Sequence, residues 1–276
     1  MKIKGDYNLN SLALVTDLIL LKFESEIIKK DDYIVIKTPS QPDYFWGNFL
    51  IFSKPPKKED FITWKEIYKT EFESEEPNFF TLTWDSEEVD KESIISFEKD
   101  GFSLGLDITL ATCHPVKPSR FNEKVVVKPI ETNEEWAMIP EVHFDKDSPK
   151  SKTAQMGFAE KRIESFREFT KKGVAHRFGA FLNGKLVGDL GLFYENEVAR
   201  FDLVATHSDY LRQGICQTLV YLSSIYMQKH YKVLKLVIVA DDDYYAIDVY
   251  KKVGFKPIQK NYSLMWWNKE VYGRKP

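Results

Sequence analysis

The sequence predicts an α/β fold built from two copies of one module, and three observations predict it. Over residues 125–267, segments with strand-like content take turns with segments of helical period. One strand-like segment, KLVIVA at 235–240, is almost wholly apolar, as expected of a strand buried on both faces. The first half repeats the order of elements, and Phe97-Glu98-Lys99-Asp100-Gly101-Phe102 lies over Tyr250-Lys251-Lys252-Val253-Gly254-Phe255 at the same kind of helix end.

The second half parses element by element. VVVKPI (125–130) reads as a strand, and Thr132 with Glu135 forms a capping box that opens a helix. A helix over 155–171 ends at Gly173. Strands at 175–182 and 185–193 flank Asn183-Gly184, the pair that best tolerates the positive φ of a tight hairpin turn. A strand at 197–206 precedes a helix at 213–229, whose apolar positions Ile215, Leu219, Leu222 and Ile225 keep helical spacing. A helix at 245–253 ends in Gly254, and strands follow at 255–259 and 263–267. In the first half, strands are expected at 33–38, 44–52, 79–84 and 103–112, with helices at 57–72, entered through Pro55-Pro56, and 87–99. The segment 112–124, with two prolines and four charged residues, reads as a linker. A polar stretch at 145–152 is expected to join two helices. These signals divide the chain into domains at 1–122 and 123–276.

Composition narrows the class. A length of 276 residues accommodates two ordinary domains, and 43% hydrophobic with 29% charged residues is globular rather than disordered. A net charge of −3 offers no general field for nucleic acid or an anionic membrane, so neither is an expected partner. Cys113 and Cys216 are far apart in sequence, which fits a reduced interior. His114, His143, His176, His207 and His230 form no HExxH or HxH cluster, so no metal is expected. The N-terminus lacks an apolar signal core, and the run 12–23 is interrupted by Asp17 and Lys22 and too short to span a bilayer. A cytoplasmic location is expected. Aromatic residues at 14% point to packed cores or aromatic-lined pockets.

The chemistry concentrates at 204–216, where a strand runs through a short loop into a helix. The first amides of a helix lack internal partners and sit at its positive end, so a phosphate satisfies them if no side chain blocks the approach. Gly214 leaves that approach open, Cys216 is small, and Arg212 adds a full charge. Alone, such a joint is more often structural. One strand further on stands Asp243-Tyr244-Tyr245-Ala246-Ile247-Asp248-Val249-Tyr250-Lys251-Lys252-Val253-Gly254-Phe255.

Together these segments resemble the GNAT superfamily of N-acetyltransferases, whose motifs run (Q/R)xxGx(G/A) and then NxxAxxxYxxxGF. The resemblance covers about 125–267 and implies two GNAT-like domains, each a mixed, mostly antiparallel sheet flanked by helices. It implies acetyl-CoA as co-substrate and a small-molecule or peptide amine as acceptor, attacked directly in a ternary complex. Backbone groups of Val204, Ala205 and Thr206 are expected to pair with the pantetheine arm. Amides of Leu211, Arg212, Gln213, Gly214, Ile215 and Cys216 are expected to hold the pyrophosphate. Tyr250 is the expected general acid, and a backbone amide of the splayed strand the expected oxyanion donor. Leu211 stands in place of the usual Gln or Arg, and Asp243 replaces the usual Asn near the cofactor arm.

Asp202 is the candidate general base, either facing the cleft or ion-paired beside Arg200; Glu195 and Glu197 are weaker candidates. His207 reads as a polar cap, and Cys216 has no histidine placed to make it a nucleophile. The first half has Ser53-Lys54-Pro55-Pro56-Lys57-Lys58 in place of the glycine loop and Phe97 in place of Tyr250, so it is expected to be a degenerate copy. The rival readings are transfer of another acyl or an aminoacyl group, and a CoA-binding sensor without catalysis. Oligomeric state is not legible.

Overall fold

The computed structural model describes residues 7–144 and 152–272. In chain order its elements are α1 (Leu12–Leu21), β1 (Glu26–Lys29), β2 (Tyr33–Lys37), β3 (Phe49–Phe52), α2 (Asp60–Glu71), β4 (Phe79–Trp84), α3 (Lys91–Lys99), β5 (Ser103–Thr112), β6 (Val126–Pro129), α4 (Asn133–Ala137), α5 (Ile139–Val142), α6 (Lys152–Lys171), β7 (Ala175–Leu182), β8 (Lys185–Glu195), β9 (Val198–Thr206), α7 (Ile215–Tyr231), β10 (Lys235–Asp241), α8 (Ala246–Lys251), β11 (Lys256–Trp267) and α9 (Lys269–Tyr272). The joining stretch expected at 145–152 lies, but for Lys152, outside the described residues.

Two compact units form: residues 1–109 with 239–243 and 258–276, and residues 110–238 with 244–257. Residues 239–243 and 258–272 thus group with the first unit and residues 110–122 with the second, each on the other side of the 122/123 boundary read from the sequence. Linker composition marks where the chain is polar, and it cannot register a strand whose two ends serve different units.

In the first unit the strands follow the order β1-β2-β3-β4-β11-β5. β3 and β4 are parallel; β1–β2, β2–β3 and β4–β11 are antiparallel. Period-two alternation sorts the side chains onto two faces. Ile34, Ile36, Phe49 and Ile51 meet Leu14, Leu18 and Leu21 of α1, while Val35, Leu50 and Phe52 turn to the opposite core with Trp64 and Tyr68 of α2. The rings of Phe52 and Trp64 stack at 3.7 Å, and those of Phe45 and Phe79 at 4.1 Å. The abundant aromatics of this half therefore build core, each such pair contributing about 0.5–1.5 kcal/mol beyond its buried area.

Three local differences from the sequence reading have physical causes. Residues 45–47 form a 3-10 turn rather than the start of a strand, because the Asn48 side chain takes over the backbone. Its amide donates to the carbonyls of Gln41 and Tyr44, and its Oδ1 accepts from the Thr38 amide at 2.9 Å. The helix expected from Lys57 begins at Asp60, whose carboxylate accepts the Lys57 amide at 2.8 Å and holds that residue outside the helix. Two strands expected at 255–259 and 263–267 are the single strand β11. The polar residues between them are accommodated: Asn261 accepts from the Ser11 hydroxyl at 2.5 Å and donates to Thr109 Oγ1 at 2.6 Å.

In the second unit the order is β10-β9-β8-β7-β6, antiparallel except for the β9–β10 pair. Asn183 and Gly184 take φ of 50° and 80°, the left-handed pair the hairpin needs. The capping box of Thr132 and Glu135 is present at α4. The segment read as a linker packs on this unit: the Asn122 amide donates to Thr218 Oγ1 at 2.8 Å, and the Val116 amide to the Val253 carbonyl at 2.9 Å.

Candidate active site

β9 is irregular where it approaches α7. Asp189 pairs with Ala205 and Gly191 with Asp202, so Leu203 and Val204 together face the single residue Leu190. This is a β-bulge, and Leu203 sits at a φ of 46° to make it. The parallel ladder between β9 and β10 ends at Arg200↔Val237, and β9 runs on to Thr206 beyond it. The strands separate there, which leaves the backbone of the last β9 residues without a β10 partner.

A cavity of about 780 Å³ opens beside this stretch. Its wall includes Val204, Ala205 and Thr206 of β9, Leu211, Arg212, Gly214, Ile215 and Cys216 at the start of α7, and Tyr250 of α8. These are eight of the ten expected cofactor contacts and the expected acid. Arg120, Arg212 and Lys252 line it and, among the described residues, no carboxylate does, so it favours an anion. The first main-chain bond of α7 runs from Thr218 to the Gly214 carbonyl, so the amides of Ile215, Cys216 and Gln217 have no helical acceptor. Gln217 is 6% exposed, lines the cavity, and its Oε1 has no hydrogen-bond partner among the described residues. Buried polar atoms in this state are rare unless a ligand or water completes them.

The remaining expected residues lie elsewhere. Gln213 is exposed and off the cavity wall, its carbonyl accepting from the Asn122 side chain at 2.9 Å. Asp243 is exposed and also off the wall; Tyr244 and Tyr245 line it instead. Asp202 lies before the bulge and does not line the cavity, nor do Glu195 and Glu197. His207 is the polar cap expected, its Nδ1 accepting the Asp209 amide at 3.2 Å.

Gly214 has a different reason for being glycine from the one the sequence supplied. Its φ is 77°, and a Cβ there would come within 2.0 Å of the Arg120 carbonyl oxygen. The missing side chain admits the incoming segment before β6, while the phosphate-accessible amides belong to the residues after it. Gly214→Ala should cost at least ~1–2 kcal/mol from the left-handed backbone alone, before that clash is counted. Thermal melting of the variant checks this, and an unchanged melting temperature would show that the turn relaxes freely.

Burial, and after it the neighbouring Cys216 thiol, push the Tyr250 phenol well above its ordinary range. It is 4% exposed and holds its proton throughout the neutral range. Burial likewise pushes the Cys216 thiol up to about 12 against the opposing effect of the Thr206 hydroxyl, which makes it a poor nucleophile.

One constellation escaped the sequence reading. Arg177 on β7 and Asp189 on β8 are 2% and 0% exposed, and the guanidinium Nε donates to Asp189 Oδ2 at 2.6 Å. His143, which lines the cavity just after α5, places Nε2 2.9 Å from Asp189 Oδ1. Burial raises the Asp189 carboxyl, but Arg177 and His143 outweigh it and hold it below the usual carboxylate range. A signal was available: opposite charges stand mid-strand in two apolar strands joined by Asn183-Gly184. The register pairs Arg177 with Gly191 and Asp189 with Gly179, which makes the two charges diagonal neighbours.

A bulged strand that parts from its parallel neighbour, a helix N-terminus beside the gap and a buried phenol one strand on frame one cavity in an α/β domain. The family model described as Acetyltransferase (GNAT) family matches residues 140–255, so this stretch carries a GNAT acetyltransferase domain, of the acyltransferase class. Among solved structures, the chain is similar to a functionally unknown conserved protein from Staphylococcus epidermidis ATCC 12228, at 15% identity and a TM-score of 0.72, over 89% of this chain and 95% of that one. It is also similar to a GCN5-related N-acetyltransferase from Kribbella flavida, at 13% identity and a TM-score of 0.64, over 92% and 93%. A third, a GCN5-related N-acetyltransferase from Sphaerobacter thermophilus, aligns at 12% identity and a TM-score of 0.51, over 86% and 81%. These likenesses are of fold. Comparison with curated proteins gave no match. Among the described residues no helix is long and apolar enough to cross a membrane, and no group of three or more His, Cys, Asp or Glu side chains could hold a metal.

Proposed function

We propose that the cavity binds acetyl-CoA and that the chain moves its acetyl group directly to an amine of a small molecule or peptide. The observation that carries this reading is the set of α7 amides without a helical acceptor, beside a wall that holds no carboxylate among the described residues and within the same cavity as the Tyr250 phenol. The amides of Ile215, Cys216 and Gln217, with the Arg212 charge, suit the pyrophosphate. The backbone edge of Val204, Ala205 and Thr206 that has no β10 partner suits the amide-bearing pantetheine arm, and a bulge amide suits the carbonyl oxygen as charge develops on it. Tyr250 gives its proton to the departing thiolate. Bound acetyl-CoA supplies an activated thioester; the protein supplies position, charge and that proton.

The first unit reads as a degenerate copy of the second. At the ends of α3 and α8 the same three main-chain bonds recur: Phe102 to Phe97 and Phe255 to Tyr250, Gly101 to Glu98 and Gly254 to Lys251, Asp100 to Phe97 and Val253 to Tyr250. Gly101 and Gly254 take φ of 88° and 95°. Phe97 has no proton to give, and two prolines stand before α2 where free amides would be needed.

The test is release of free CoA from acetyl-CoA in the presence of spermidine, lysine methyl ester, tyramine and a short peptide with a free α-amine. Amine-dependent release, with the acetylated product seen by mass spectrometry, is expected. Release no faster than with buffer alone, across all four, would contradict the transfer reading.

A further inference from the structure

We propose that His143 is the base that takes the proton from the attacking amine, with Asp189 and Arg177 as positioning residues that fix its tautomer. The inference rests on the acyl-transfer reading above and assigns its missing base. Asp202, the base expected from the sequence, does not line the cavity, whereas His143 does. Tyr250 lines that same cavity.

The tautomer follows from the buried carboxylate. Asp189 is fully enclosed, and Arg177 occupies its Oδ2 through both Nε and Nη2. Oδ1 has no hydrogen bond of ordinary geometry among the described residues, and His143 Nε2, 2.9 Å away, is the group placed to supply one. An ionised carboxylate accepts and cannot donate, so Nε2 serves Oδ1 only when it carries the hydrogen. Arg177 Nη2 also lies 3.1 Å from Nε2. Were Nε2 an acceptor for that group, Oδ1 would be left bare in the core, which costs more than the bond returns. With Nε2 protonated, the neutral ring carries its lone pair on Nδ1, which has no partner among the described residues. The ring is 22% exposed, on the cavity side of the pair. A carboxylate behind a histidine fixes the orientation and tautomer of the ring.

The step balances. The amine nitrogen forms a bond to the acetyl carbonyl carbon, and the carbon–sulfur bond breaks. One proton passes from that nitrogen to His143 Nδ1, and one from the Tyr250 phenol to the sulfur. Solvent then takes the imidazolium proton and returns one to the phenolate. Among the described residues, the charged and titratable groups around the ring are Asp189 on β8 and Arg177 on β7, with Arg120, Arg212, Lys252, Cys216 and the phenols of Tyr210, Tyr244, Tyr245 and Tyr250 on the shared cavity wall.

Two readouts test this on the full chain. The first needs no turnover: imidazole nitrogen-15 spectra, assigned to His143 by comparison with His143→Gln, should show a protonated Nε2 and a bare Nδ1 at neutral pH, and the opposite tautomer overturns the proposal. The second compares pH profiles with acetyl-CoA and whichever of the four amines is acetylated. His143→Gln should lower kcat by about 10²-fold or more with acetyl-CoA binding by calorimetry unchanged, and should remove the acid limb of kcat/KM. A variant that keeps the wild-type rate and limb overturns the inference alone. A wild-type chain that binds no acetyl-CoA and acetylates no amine overturns the proposed function, and the role of His143 with it.

Discussion

Under the proposed function, replacing Tyr250 with phenylalanine should lower kcat for acetyl transfer by about 10²–10⁴-fold and leave acetyl-CoA binding in place. The phenol is enclosed beside Cys216 and stays protonated through the neutral range, so it can donate to a thiolate but cannot act as a base. Removing only the hydroxyl keeps the ring and the α8 end intact, since Phe97 occupies the matching position in the same turn of the first unit. The fold therefore survives and the effect falls on kcat. Steady-state kinetics near neutral pH decide it: an unchanged kcat would show that the thiolate leaves unassisted or by another acid.

Arg177→Met is expected to destabilise the second unit by about 3–5 kcal/mol. Methionine keeps much of the side-chain volume but strands the Asp189 carboxylate, which is 0% exposed, with only His143 for a partner. The apparent melting temperature should fall by roughly 10 °C. A shift of no more than a degree or two would mean that water or a rearranged side chain replaces the guanidinium. The pH dependence has a definite sign. Because the carboxyl lies below its unfolded value in the native state, its contribution is complete above about pH 4 and is lost as the pH falls through the folded value. The wild-type chain should lose that part of its stability on acidification, and the variant should have less of it to lose.

What the sequence made legible was whatever depends on local chemistry. The Asn183-Gly184 turn, the Thr132–Glu135 capping box, the apolar β10 and the spacing of the two motifs each act within a few residues, and each appears where expected. What it concealed depends on distant partners. Nothing local announces that Leu203 adopts a left-handed conformation, so the bulge that separates Asp202 from the cavity could not be read. Gly214 was assigned to ligand access, yet the nearest atom to its absent side chain is a carbonyl 94 residues earlier in the chain, at Arg120. His143 looked like an isolated histidine because its partner comes from a strand 46 positions later. β11 read as two strands because its polar middle is paid for by Ser11 and Thr109, which no window around Asn261 contains.

The account turns on where a diphosphate lies. Amide hydrogen exchange of the whole chain, with and without acetyl-CoA, locates it without knowledge of the acceptor. Slowed exchange at 204–206 and 211–217, with little change across 53–60 of the first unit, is the predicted result. Exchange that is unaltered at the start of α7 at saturating acetyl-CoA, or protection that falls in the first unit instead, would contradict it.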